Sequence, residues 1–530
     1  MRTTRWPFRV LAGLLVLVAA AAASFGFAAP GTLASGTAVA GRAAAIAGGL
    51  SGCLTREFAA PRELRGMWLT TVRNTDWPSK PGLPPEQVKA EYLEWLDLAV
   101  KLNHNAIFVH VRPSGDAFWP SAYAPWSYWL TGRKDGAGPG WDPMAFMVAE
   151  AHARNLEFHA WFNPYKAAQE GKVADLAPNH PLRQHPDWAV GFPASGSGRR
   201  LYYNPGIPEA RAYVEDSILE TVTRYDIDAV HFDDFFYPYP EKGEDFPDAA
   251  AYARYGGGMS KADWRRHNVN AFVQNMSERI KAAKPSVKFG ISPFGIWRNA
   301  ETDPAGSATR GLQSYDAIYA DTRTWVRKGW LDYIVPQLYW HIGFAIADYA
   351  VLLPWWAELV RGTKTQLYIG MADYRVGQAG AWKDPTLLSR QLALNDKYGV
   401  NGTIHFNAKS VRADRLGATT RYRQAHYATP ALVPVTARLA QPAPQAPSDV
   451  LVRRTQRSAT VQWSAPPSGS AAPFRYAVYR ADSLSAPARL MAVIRSTGAA
   501  AQTWVDTSAG FADANYCVTS LDRNWSESGP

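Results

Sequence analysis

From Glu63 to Ala408 the chain repeats one unit eight times: a short run rich in β-branched and aromatic residues, then a stretch with apolar side chains three and four positions apart. The runs are Glu63–Thr71, Ala106–Pro113, Glu157–Tyr165, Ala229–Phe236, Lys288–Gly295, Asp332–Trp340, Gln366–Tyr374 and Gly402–Ala408. The intervening spacing is that of amphipathic helix, as in Tyr92, Leu93, Leu96, Ala99 and Val100, or across Pro208–Tyr225, Lys261–Ala283 and Asp316–Lys328. Strands joined through helices pair in parallel, so the fold class is α/β, and eight such units make a (β/α)8 TIM barrel. The connections after the second to fifth strands are long and rich in Gly, Pro and aromatics. They belong to the carboxyl-terminal mouth, where such barrels build their sites.

The 530 residues exceed one barrel, and both ends read differently. Arg2, Arg5 and Arg9 precede an apolar run from Val10 to Ala29, the pattern of an export leader or, at that length, an uncleaved anchor. Leu50-Ser51-Gly52-Cys53 resembles a bacterial lipobox, so Cys53 is the expected lipidation site and the only expected tie to a membrane. Residues 1–60 are thus expected to be leader and linker, 61–430 the barrel, and 431–446 a stiff Pro/Ala linker. Residues 447–530 read as a small all-β sandwich, with strands at Ala459–Trp463, Arg475–Arg480 and Tyr516–Leu521. Its buried Trp463, the Tyr476–Arg480 strand and the late Tyr516 strand resemble a fibronectin type III domain, in which Cys517 would be a small buried apolar residue. Two cysteines exclude a disulfide-rich scaffold and a Cys-based zinc cluster. Without residues 1–52 the chain carries 52 basic against 46 acidic side chains and no Lys/Arg-rich run, which argues against a nucleic-acid partner. Nothing in the chain implies a cofactor or fixes an oligomeric state.

Alternation along each barrel strand separates a lumen face from a helix face. His110 and Arg112 share one face of the second strand, and His159, Trp161, Asn163 and Tyr165 share one of the third. His231 and Asp233 do so in the fourth, Gln337 and Tyr339 in the sixth, and His405 and Asn407 in the eighth. A barrel without a site would fill those layers with Val, Ile and Leu. Glycoside cleavage needs one carboxyl group raised in pKa and one ionised. Asp233 is the expected nucleophile or electrostatic stabiliser. Asp234, facing the other way on an extended strand, is expected to brace a loop or an Arg, or to join the catalytic carboxyls if the strand already bends there. The second carboxyl is left open among Asp116, Asp373, Glu301 and Asp303, with no Glu on the fifth strand to take the part. Asn163, His231, Gln337 and Arg112 would orient a sugar, and the aromatics of the same loops offer stacking planes for its C–H faces. Two other readings compete. His110, His159, His231 and His405 could converge on a metal in a metal-dependent hydrolase, or the barrel could bind glycan without cleaving it.

Six segments resemble the glycosyl-hydrolase-like family ten domain. They are Glu63–Trp68, His110–Trp119, Ala160–Tyr165, His231–Pro238, Ile291–Arg298 and Pro336–Trp340, in order across nearly the whole barrel. The resemblance implies an exported, lysozyme-like endo-hydrolase of peptidoglycan glycan strands freed of their stem peptides. It implies site roles for Trp68, Trp161, Tyr165, Trp297, Tyr339 and Trp340. The lactyl carboxylates of that glycan would then fit Arg65, Arg112 and Arg298 as bidentate partners. Asp228–Asp233 is also similar to the nucleophile strand of α-amylase-type barrels, matching at position 233 and departing at 231, where His replaces Arg.

Overall fold

A computed structural model describes residues 53, 57–169, 171–193, 198–467, 472–483, 486–508, 510–511 and 514–530. The arginine-flanked leader lies outside these residues. Among the described ones no helix is long and apolar enough to cross a membrane.

A two-residue strand, β1 (Phe58–Ala59), precedes the barrel, which opens with β2 (Leu64–Leu69), β3 (Ala106–Arg112) and β4 (Glu157–Phe162). An antiparallel sheet of β5 (Lys166–Ala168), β6 (Ala189–Pro193) and β7 (Arg199–Tyr203) is inserted ahead of the helix Pro208–Arg224. The barrel continues with β8 (Ala229–Phe232), β9 (Lys288–Ile291), β10 (Tyr333–Ile334), β11 (Gln366–Met371) and β12 (Gly402–His405). These eight barrel strands pair in parallel in chain order, and β12 closes the ring on β2. Each strand stops short of its apolar run at the carboxyl end, and the residues beyond are those expected to carry chemistry. The expected helix Asp316–Lys328 is two shorter ones, Ser314–Ala317 and Thr322–Arg327. Tyr319 takes a left-handed φ of 57° between them, and the Asp321 carboxylate caps the second by accepting the Thr324 N–H at 3.3 Å.

Ile107, Val109, Phe158, Ala160, Val230, Phe232 and Phe289 form the layer between wall and helices. A second cluster fills the lumen with Trp68, Phe108, Trp161, Tyr333, Tyr368 and Ile404. Two histidines complete the lumen by bonding to one hydroxyl. Tyr333 Oη lies 2.9 Å from His159 Nδ1 and 3.2 Å from His231 Nδ1, while Trp68 Nε1 donates to His231 Nε2 at 3.2 Å. Burial pushes both imidazoles below their ordinary pKa, so they serve as neutral packing groups.

Beyond the barrel come β13 (Ser448–Arg454), β14 (Ala459–Ser464), β15 (Arg475–Ala481), β16 (Ala488–Arg495), β17 (Ala501–Asp506) and β18 (Asn515–Leu521). They form two sheets, β13-β14-β17 and β1-β16-β15-β18, with Trp463, Tyr476, Val478 and Val518 buried together. The sandwich covers the amino-terminal end of the barrel. Trp525 donates its indole N–H to Glu157 at 2.8 Å, and Lys288 reaches the same carboxylate at 2.6 Å. Burial alone would raise the Glu157 carboxyl, but Lys288 and His159 hold it down at about 2. The first half of the expected linker is packed rather than free: Leu432 exchanges 2.9 Å backbone bonds with Pro61 and Glu63, and Arg438 forks onto Asp332 at 2.8 Å.

The expected lipidation of Cys53 is corrected. Its sulfur is disulfide-bonded to Cys517 in β18, so neither cysteine is free, and the thiol that a lipid thioether would need is consumed. The bond joins the segment ahead of the barrel to the sandwich, alongside the β1–β16 pairing and an edge-on contact of Phe58 with Tyr479 at 4.7 Å.

Candidate active site

The site lies at the barrel mouth opposite the sandwich, where β8 ends. His231 and Asp233 face inward as alternation requires. Asp234 should point away, but pairing stops at Phe232 and the chain bends. That bend brings Asp234 round beside the same neighbours, Lys166 and Tyr239, on which Asp233 acts, correcting the expectation that it faces elsewhere. The two carboxyls are almost closed off, 6% and 4% exposed.

Asp233 is held by three N–H donors. Trp161 Nε1 and Asn163 Nδ2 reach one oxygen at 3.2 and 3.1 Å, and the Phe235 backbone N–H reaches the other at 3.1 Å. Trp161 is itself fixed by stacking on His110, ring centres 3.8 Å apart. Asp234 accepts a short bond from the Tyr239 hydroxyl and another from Gln337, whose amide also donates to the Ser292 carbonyl at 2.9 Å. Burial, and then the charge of Asp234, push the Asp233 carboxyl up to about 7, against the pull of Lys166. Burial raises Asp234 as well. Two carboxyls buried side by side do not both ionise cheaply, which adds to the rise of Asp233.

Lys166, at the start of β5, is the residue that sequence reasoning missed. It is buried, its ammonium lies 3.9 Å above the Phe235 ring, and Asp233 and Asp234 both act on it. Burial pulls it down to about 8. Strict alternation from His159 would put Tyr165 inward and Lys166 outward. The chain leaves the barrel at Phe162 and turns through Pro164, which reverses that parity. Partly exposed Phe235, Tyr239, Phe294, Tyr339 and Trp340 rim the mouth in edge-on contacts, with Phe406 between Tyr339 and Trp68.

Several other candidates lie elsewhere. Asp116 accepts the Ser114 N–H at 2.9 Å and lines a separate cavity of about 90 Å³ with Trp126, Trp129 and His180. Asp373 is spent on His405 Nδ1 at 2.9 Å, and that ring stacks on Tyr422 behind the wall rather than in the lumen. Ile404 takes the inward position there, so His405 and Asn407 were placed on the wrong face. Asn407 instead donates to Asp76 at 2.8 Å and caps the next helix through Ser410. Arg65 also faces outward, bonded to Glu63 and to the Thr429 carbonyl at 2.6 Å. Arg112 follows a β-bulge that turns it off the His110 face. It is fully buried and donates to the Asn163 and Pro164 carbonyls at 3.2 Å. Tyr165 packs on Phe272 in the helix layer, and Trp297 is buried beside Trp355 and bonded to Asp321. Arg298 is already paired with Asp316 and Asp303, and Glu301 is exposed. His231 and Trp68 form the floor beneath the pair instead of its wall. With His405 outside and the nitrogens of His159 and His231 bonded within the protein, the four histidines make no single metal-binding cluster.

A closed parallel barrel with two adjacent buried carboxyls under an aromatic rim is an architecture suited to a glycoside hydrolase. Residues 63–388 match the model of the family described as Glycosyl hydrolase-like 10, and the chain belongs to that family. It is 45% identical over 480 residues to the glycosyl hydrolase YngK of Bacillus subtilis, covering 88% of this chain and 92% of that one. It is 40% identical over 398 residues to the glycosyl hydrolase DigH of Escherichia coli K12, covering 70% and 89%. Among solved structures, an endo-β-1,4-mannanase from Thermotoga petrophila aligns over 88% of this chain and 96% of its own at 8% identity, with a TM-score of 0.41. At that distance the likeness says nothing about substrate.

Proposed function

We propose that this protein is an exported hydrolase that cuts within the glycan strands of peptidoglycan, preferring strands without stem peptides. The observation that carries the reading is the Asp233–Asp234 pair, two adjacent buried carboxyls beneath an aromatic rim suited to sugar faces. Peptidoglycan in particular is supported by the family resemblance and by positive charge at the mouth. Arg65 and Arg112 are withdrawn as lactyl partners, but Arg200 and Arg73 each lie close enough to act on the charge of Lys166. They would favour a glycan that carries a carboxylate on every second sugar. Export is supported by the arginine-flanked apolar leader and by the Cys53–Cys517 disulfide, a bond that persists in oxidising compartments. Carboxyls this deeply buried behind an aromatic rim leave little room for peptide stems, hence the preference for bare strands.

The test is mass spectrometry of products released from amidase-treated and intact sacculi by the wild type and by Asp233→Asn. Wild type should release muropeptide-free oligosaccharides from the amidase-treated material, and the variant should release at least 100-fold less while melting normally. Equal release from intact sacculi removes the peptide-free preference. Glycan bound without any product would make this a binding protein.

A further inference from the structure

Asp233 and Asp234 are consecutive residues, so they approach a bound sugar from the same side. Displacement at an anomeric carbon needs a nucleophile on the face opposite the leaving group. Glycosidases ordinarily meet this with two carboxyls across the bond, about 5–5.5 Å apart for direct attack or about 6.5–9.5 Å apart with a water between. The neighbouring carboxyls of the mouth loops are committed to other partners. Asp116 lies in its own loop cavity. Both oxygens of Asp373 lie against His405. Asp76 is filled by the N–H groups of Thr70, Asn407 and Lys409, and Asp303 and Asp316 hold Arg298. The pair therefore has the means to give and take a proton, and these five described carboxylates are engaged away from it.

We propose that the nucleophile is the substrate's own 2-acetamido oxygen, with the Asp233–Asp234 pair supplying the proton and holding the acetamido N–H. This rests on the reading that the substrate is an N-acetylated glycan. The acetamido carbonyl oxygen bonds to C1 as the C1–O glycosidic bond breaks. The leaving oxygen takes the proton held by the pair, and the acetamido N–H proton passes to the carboxylate it faced, leaving a neutral oxazoline. Water then adds to C1 from the face the leaving group vacated and gives its proton to the free carboxylate. The oxazoline C1–O bond opens and its nitrogen recovers a proton from the pair. Two displacements retain the configuration at C1, and the pair ends with the one proton it began with. Asn163 and Trp161 pin Asp233 from below, Tyr239 and Gln337 pin Asp234 from the side, and Lys166 balances the remaining negative charge.

The experiment compares peptide-free glycan strands with the same strands chemically de-N-acetylated, using the full chain. It adds the thiazoline analogue of N-acetylglucosamine, a stable mimic of the oxazoline. De-N-acetylated strands should be cut at least about 1,000-fold more slowly, the scale set by losing an intramolecular nucleophile. The thiazoline should inhibit competitively, and the first anomer seen by NMR should be the retained one. Comparable cutting of both strands, or an inverted first product, overturns this inference and leaves the glycan reading standing. No cutting of either strand overturns the glycan reading, and this inference with it.

Discussion

At the scale of single residues, the site is an electrostatic balance among Asp233, Asp234 and Lys166. Lys166→Met removes the cation that favours ionisation, so the Asp233 carboxyl should rise further above about 7. The alkaline limb of the kcat/KM profile should then move to higher pH by about one unit. Asp234→Asn removes a negative neighbour, and in whatever activity remains the limb should move the other way. Profiles that stay put in both variants would show that the limb belongs to another group. The same shift bears on stability. The folded value of Asp233 lies above its ordinary 3.8, so its contribution is full below about pH 4 and is lost as pH rises to about 7. Denaturant midpoints of wild type and Asp233→Asn should accordingly converge towards low pH and part towards neutral, with the variant the more stable above pH 7.

At the scale of elements, the inserted sheet β5-β7-β6 places Lys166, and one glycine lets it sit where it does. Gly115 has φ +66°, and a Cβ there would come within 2.8 Å of the Ala167 carbonyl. Gly115→Ala should cost about 1–3 kcal/mol by strain and clash and displace the strand that bears the lysine. A lower melting temperature together with a kcat loss would show it, whereas kcat unchanged at full occupancy of the fold would disconnect β5 from the site. This scale also shows what could be read in advance. Eight strands, their order and the inward faces of His110, Trp161, His231 and Asp233 follow from period-two alternation. Most misplaced residues lie where that period breaks: Arg112 after a bulge, Tyr165 and Lys166 after Pro164, Asp234 after the last paired residue of β8, and Asn407 past the end of β12. Parity counts only while a strand stays paired, and the candidate site residues gather just past that point. His405 and Arg65 are different. They lie on paired strands, and nothing local distinguishes a polar group facing the helices from one facing the lumen.

At the scale of the whole molecule, the sandwich closes the amino end of the barrel rather than hanging from it. Trp525→Ala would remove a buried ring and leave Glu157 short of one donor, at a cost of about 3–5 kcal/mol. Its melting temperature should fall well below that of wild type. A fall of less than a degree would mean that the two parts fold independently. Cys53→Ser with Cys517→Ser should lower stability by about 2–4 kcal/mol, and a reductant should do the same to the wild type while leaving the double variant unmoved.

Local pattern in the chain settled the number of strands, their parallel pairing and the inward placement of the candidate carboxylate Asp233, because each follows from side-chain period and strand direction. It could not settle the partner of that carboxylate, the cation beside it, the pairing of two cysteines 464 positions apart or the packing of the sandwich beneath the barrel. Those depend on where the backbone turns after pairing ends and on which distant segments share a buried volume, and only the assembled fold decides that.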